Sequence, residues 1–191
     1  MLNKLVDNLK GMVYCNIYDD YWTMLFVSNG SIELTGYTPQ QLIRNLTISY
    51  EEVIAQDHRA YVRDEIAKAV ALKTSFEIEY QIQHANGHTI WVSERGYPIF
   101  DAHGQVQAIE GYIQDISDRK NVEDSLKKAE ARYRSIFENA IEGIFQSSLD
   151  GQYLVANPAL AGIYGYESSE ELIQALNNIQ HQLYVLTTRR E

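Results

Sequence analysis

SFEIEYQIQHANGHTIWVSERGY, residues 75–97, decides the fold. Its first part alternates without a fault. Phe76, Ile78, Tyr80 and Ile82 fall on one side, and Glu77, Glu79, Gln81 and Gln83 fall on the other. A period of two is the mark of a half-buried β-strand. Asn86-Gly87 follows, two residue types that tolerate positive φ and therefore suit a tight hairpin turn. TIWVSERGY (89–97) then returns antiparallel. With an even-length loop, Trp91 shares the apolar face of Tyr80 and Ile82, while Ile90 and Val92 lie on the opposite face. The same parity points His84 and His88 to opposite sides.

Working outward, the turn Asp101-Ala102-His103-Gly104 leads to a last strand, VQAIEGYIQDI (106–116). Upstream, Asp57 suits the N-cap of a helix running to about residue 72, with Val62, Ile66, Ala69 and Val70 on one stripe. Short helices are expected over 29–35, 39–44 and 50–55, and two short strands over 11–18 and 23–28, around a polar turn at Asp19-Asp20. Every connection within a strand group is a hairpin. The fold class is therefore α+β, an antiparallel five-stranded sheet with short helices on one face. The face carrying Ile90 and Val92 needs a cover. An N-terminal helix with Leu2, Leu5, Val6 and Leu9 at helical spacing is one candidate, and a partner subunit is the other.

Two tracts recur in the same order. LVDNLKGMVY (5–14) corresponds to FENAIEGIFQ (137–146), and FVSNGSIELTGYTPQQLI (26–43) to VANPALAGIYGYESSEELI (155–173). Ser28 and Asn157 each stand eight residues before a Gly-Tyr pair, Gly36-Tyr37 and Gly165-Tyr166. The second copy has no counterpart of the strand-rich stretch 75–115, so it is either cut short or a degenerate half-module, and truncation is the expectation.

The 191 residues carry 16 Lys plus Arg against 26 Asp plus Glu, a formal net charge of −10. Such a field repels phosphate backbones and anionic lipid, which argues against nucleic-acid or membrane-surface binding. No apolar run approaches the roughly 20 residues that cross a bilayer. A single cysteine, Cys15, allows no internal disulfide and no CxxC motif. A cytoplasmic location is expected.

VSNGSIELTGY (27–37), FEIEYQIQHANGHTIWVSERGYPIFDAHG (76–104) and GYIQDISDRK (111–120), in this order and spacing, resemble the PAS sensory domain family, in its extended-hairpin subgroup. The second copy resembles the N-terminal half of another. The resemblance implies a PAS domain with an N-terminal helix over 1–116, a helical signalling linker over 117–138 and a partial second PAS domain over 139–191. The family's closing Asp-Ile-Thr stands here as Asp115-Ile116-Ser117. Where strand gives way to helix, Ser117 can cap the first free N–H groups, Asp118 suits the positive helix end and Asp115 can reach Arg119. The alternative is an ordinary cap. By resemblance, Asp115, Ser117 and Arg119 form the signal-relay junction.

The helix that follows has a narrow apolar seam at Val122, Leu126, Ala129, Tyr133, Ile136 and Ala140, with steps of four and three. That is coiled-coil spacing, and it points to a homodimer formed through the linker helix and the PAS domain. A solvated spacer helix is the alternative.

No enzyme chemistry is visible. There is no Gly-rich phosphate loop, no GxSxG and no HExxH. The five histidines are scattered, and no metal site is expected. Flavin photosensors of the family carry a cysteine in a motif ending Asn-Cys-Arg. Asn45-Leu46-Thr47-Ile48 shows nothing similar, and Cys15 reads as a small buried residue of the first strand. His58, at the solvent-facing start of its helix, is not placed as a haem ligand. No cofactor is expected, flavin and haem included. Tyr14, Tyr61, Tyr80, Tyr97 and Trp91 are the candidate lining of a ligand pocket, although a filled aromatic core explains the same residues.

Two functions follow. One is a non-catalytic sensory module from a bacterial signalling protein, detecting a small ligand or partner. It would relay the change to a downstream effector, which the resemblance makes a two-component histidine kinase, a diguanylate cyclase or a nucleotide cyclase. The other is a ligand-free dimerisation module.

Overall fold

A computed structural model describes residues 10–176. The expected N-terminal helix around Leu2 to Leu9 and the chain beyond residue 176 lie outside the described residues. The chain divides into two compact units, one ending at Val122 and one beginning at Glu123.

The first unit opens with the strands β1 (Met12–Asn16) and β2 (Met24–Val27). Four helices follow: α1 (Gly30–Thr35), α2 (Pro39–Leu42), α3 (Tyr50–Val53) and α4 (Gln56–Leu72). The strands β3 (Phe76–Gln83), β4 (Thr89–Phe100) and β5 (Val106–Asp115) complete one antiparallel sheet of order β2-β1-β5-β4-β3. Leu34, Leu42, Val53, Val62 and Ile66 from the four helices are buried against Met12, Ile78, Ile82, Val92, Ile109 and Ile113 of the sheet. This is the expected α+β architecture with helices on one face.

The hairpin at Asn86-Gly87 differs from its expected form. Gln83 pairs with Thr89, and the His84 amide donates to the His88 carbonyl at 2.9 Å, so the loop is the odd-length Ala85–Gly87. Gly87 takes φ +94, the left-handed turn that closes three-residue hairpins. One residue of loop length moves every following side chain to the other face. Ile90 and Val92 therefore pack inward opposite Ile82 and Tyr80, and Trp91 faces outward. His84 and His88 share a face, their rings stacked 4.5 Å apart.

Two further expectations are corrected. The N-cap of α4 is Ala55, because its N–H is held by the Gln81 carbonyl at 2.9 Å; Asp57 lies in the first turn instead. Cys15 is half-buried rather than interior, since Met12, Tyr14 and Asn16 take the inward positions of β1.

The long helix α5 (Ser117–Asn139) contains no buried residue. In the second unit the strands β6 (Phe145–Ser147) and β7 (Tyr153–Ala156) pair antiparallel, followed by α6 (Pro158–Tyr164) and α7 (Ser169–Ala175). Its core is Tyr153, Ala156, Leu160, Ala161, Leu172 and Leu176. The sequence repeat has a structural counterpart. The Val13 amide donates to Ser28 Oγ and the Ser28 amide to the Val13 carbonyl, at 3.0 and 2.9 Å. The Ile144 amide donates to Asn157 Oδ1 and the Asn157 amide to the Ile144 carbonyl, both at 2.9 Å. Gly36 and Gly165 both end the next helix in the left-handed conformation.

Candidate functional site

Inward positions of β4 are apolar or small except one. Glu94, between Val92 and Gly96, is only 3% exposed. Tyr14 Oη donates to its Oε1, and Tyr80 Oη donates to its Oε2 at 2.6 Å. Tyr50 Oη lies 3.0 Å from Tyr80 Oη, so four side chains form one hydrogen-bonded chain. Tyr50 begins α3, whose start is fixed by a capping box. The Glu52 amide donates to Ser49 Oγ at 3.3 Å, and the Ser49 amide donates back to Glu52 Oε2 at 3.0 Å.

Tyr14 reaches Glu94 because two glycines lie beneath it. Tyr14, Gly111, Gly96 and Phe76 form one row across β1, β5, β4 and β3. A Cβ on Gly111 would stand 2.7 Å from the Tyr14 ring, and one on Gly96 would stand 3.0 Å from Tyr14 Oη and 2.3 Å from Phe76. Both are too close for any side chain.

Burial pushes the Glu94 carboxyl above the ordinary carboxylate range, against the opposing pull of the two tyrosine hydroxyls. Burial first, and the Glu94 charge second, raise the phenols of Tyr14, Tyr80 and Tyr50 above theirs. No ion pair to Glu94 occurs among the described residues. Beside this cluster lies a cavity of about 10 Å³, lined by Tyr14, Asn16, Trp22, Tyr50 and Glu94 with apolar groups from β2, α4 and Ile54. Cofactor sites usually span roughly 300–1,000 Å³. The cavity here is smaller than that range.

Of the five residues expected to line a pocket, the fold brings Tyr14 and Tyr80 together in the interior. Tyr61 and Tyr97 lie on the surface, 43% and 48% exposed, and Trp91 lies on the outer sheet face. Glu94, Tyr50, Asn16 and Trp22 were not anticipated. Glu94 was hidden by the loop parity, which placed it on the wrong face.

Trp91 instead organises the end of the sheet. Its carbonyl accepts from the Ile116 amide at 2.8 Å, and its own amide donates to Ser117 Oγ at 3.1 Å. Asp115 Oδ1 accepts from the Ser117 amide at 2.7 Å. The capping role expected of Ser117 thus falls to Asp115. Asp115 holds the start of α5, and Ser117 reaches back to the strand. Arg119 pairs with Glu79 Oε1 at 2.6 Å rather than with Asp115, because the Asp115 carboxylate is turned to the backbone next to it. Lys120 takes Glu79 Oε2 at 2.7 Å, and Lys120 first, Arg119 second, hold the Glu79 carboxyl below its ordinary range. The His58 ring meets Trp91 edge-on at 5.4 Å, so His58 is half-buried rather than solvent-facing.

The seam residues Val122, Leu126, Tyr133 and Ile136 are 61–69% exposed, and Ala129 is exposed with them. Among the described residues no helix is long and apolar enough to cross a membrane. No group of three His, Cys, Asp or Glu side chains there could hold a metal ion.

A family model of the PAS fold matches residues 24–113, and a PAS domain model matches residues 131–190. The chain belongs to the PAS family. The first match runs from β2 through the four covering helices into β5, with β1 of the same sheet preceding it. An uncharacterised protein of Sinorhizobium fredii, y4lL, is 29% identical over 108 residues, 56% of this chain and 13% of that protein. The methyl sulfide methyltransferase-associated sensor of Methanosarcina acetivorans is 27% identical over 124 residues, 64% of this chain and 12% of that protein. The chain spans about an eighth of the length of these curated relatives. Among solved structures, a sensory box histidine kinase/response regulator from Burkholderia thailandensis superposes with a TM-score of 0.58 at 22% identity. That match covers 70% of this chain and 98% of that one, and it shows a shared fold.

Proposed function

We propose that the first PAS unit is a non-catalytic receptor whose interior, around Glu94, responds to a small ligand or a partner. In this reading residues 1–116 sense, α5 carries the change, and residues 139–191 belong to a second, partial PAS domain. One observation carries the proposal. Glu94 and Trp91 lie three residues apart on β4, and Trp91 holds both Ile116 and Ser117 at the start of α5. Two states of the interior that differ in ligand affinity would bias two settings of that helix. The effector lies elsewhere in the same polypeptide. A histidine kinase of a two-component system, a diguanylate cyclase and a nucleotide cyclase are the candidates, in a bacterial cytoplasm. Asp115→Ala in the full-length parent tests the junction. Signal-dependent output should be lost, and unchanged output would remove Asp115 from the coupling.

A cavity of only about 10 Å³ favours a second reading, a ligand-free module that holds two effectors together. Both readings use the exposed α5 seam as a homodimer contact. Equilibrium ultracentrifugation of the Leu126→Lys chain should show monomer where the wild type is dimeric. Dimer in both would exclude the seam.

A further inference from the structure

We infer that the cavity beside Glu94 is a binding site for one hydroxylic molecule of water size, held between Trp22 Nε1 and Asn16 Oδ1. This rests on the reading of the interior as the receptor site and names what that interior binds. Trp22 and Asn16 are 1% and 4% exposed, and both line the cavity. Neither Trp22 Nε1 nor Asn16 Oδ1 has a hydrogen-bond partner among the described residues. A buried polar atom left unpaired costs about 1–3 kcal/mol, so two such atoms, on two residues that line the same small void, call for a shared guest.

Their chemistry selects the guest. Trp22 Nε1 only donates and Asn16 Oδ1 only accepts. Ammonium, which only donates, would leave Trp22 unpaired, and a halide, which only accepts, would leave Asn16 unpaired. A hydroxyl does both. About 10 Å³ is close to the least volume that holds one water molecule.

The site is also built at a cost. Trp22 has φ +52, a left-handed conformation unfavourable for a residue with a side chain. It is kept there by the turn at Asp19, whose Oδ1 accepts from the Tyr21 and Thr23 amides at 3.1 and 3.0 Å. The Arg63 guanidinium lies 4.8 Å from the centre of its ring. Strain of this kind persists where the surroundings demand it.

Nuclear magnetic resonance of the isotopically labelled 191-residue chain tests this with water as the probe. The Trp22 indole N–H should show a cross-peak to water with the sign of a long-lived complex. The peak should be lost in Asn16→Leu while the amides of Val92 and Ile113 keep folded shifts. Absence of the peak in the folded wild type would overturn the inference and needs no variant. A saturable shift of the indole resonance with ammonium chloride, beyond that with potassium chloride, would overturn it too. The receptor reading fails separately, if output of the full-length parent is indifferent to Glu94→Gln while the bound water is present.

Discussion

The Lys120 ammonium lies 5.0 Å from the centre of the Trp91 ring. Glu79 holds the same ammonium at 2.7 Å, so the first turn of α5 is fastened to two neighbouring strands at once. Removing the ring in Trp91→Ala leaves the backbone bonds to Ile116 and Ser117 but removes a cation–π contact of about 1 kcal/mol. The Lys120 amide, bonded to the Ile116 carbonyl at 3.0 Å, should then exchange with deuterium about fivefold faster. Exchange at the wild-type rate would mean that the ring does not restrain the helix.

Gly96→Ala and Gly111→Ala should each destabilise the first unit by about 1–3 kcal/mol, the usual cost of overpacking. Each Cβ would strike Tyr14, and on Gly111 it would also meet the Arg95 carbonyl at 2.6 Å. Gly162→Ala meets nothing within 4 Å and sits inside α6, so it should stabilise the second unit by up to about 1 kcal/mol. Urea titrations check all three.

The architecture was legible because side-chain period and turn residues carry it. Phe76 to Gln83 alternates perfectly, and the Gly-Tyr pairs mark both helix ends. The Ser28–Asn157 correspondence was visible too, and it proves to be the same pair of hydrogen bonds made twice. The site was much less legible. Whether the hairpin loop holds two residues or three depends on Gly87 closing against His84, a contact that composition does not reveal. That one residue decided which of Trp91 and Val92 faced the core, and it hid Glu94 among surface charges. Asp115, Ser117 and Arg119 were singled out at the end of the sheet, but the contacts they make were not foreseen. Glu79, which holds Arg119, and Trp91, which holds Ser117, stand 40 and 26 residues away in sequence, and only the folded register brings them together.

Glu94 sets a pH dependence whose sign is opposite to that of most carboxylates. Its folded pKa is raised, so its contribution to stability is complete below the ordinary value near 4.5 and is lost as pH rises through the folded value. The wild type should therefore lose stability relative to Glu94→Gln as pH is raised from about 4.5 upward. Parallel melting-temperature curves for the two proteins would contradict the burial of an ionisable carboxyl. Glu79, with its lowered pKa, works the other way, its contribution being lost only as pH falls through the folded value.

Asn157 is fully buried and makes four side-chain hydrogen bonds in the second unit, to Ile144 and Leu160 through Oδ1 and to Phe137 and Glu142 through Nδ2. Asn157→Ala should cost about 2–4 kcal/mol, since several backbone groups lose their partner together. Asn157→Ser should recover part of that by restoring the bond to Ile144 that Ser28 makes to Val13. Equal losses in the two variants, read by urea titration, would contradict the equivalence.

A change at Glu94 must reach Ser117 if the interior is to act on the helix. The direct measurement is deuterium exchange at residues 116–120, compared at neutral pH between the wild-type chain and Glu94→Gln. Altered exchange at Ile116 to Lys120, together with altered exchange at the core amides of Val92 and Ile113, is the expected result. Core amides that respond while 116–120 stay unchanged would show that the sheet end is uncoupled from the interior, and would contradict the receptor-to-helix route.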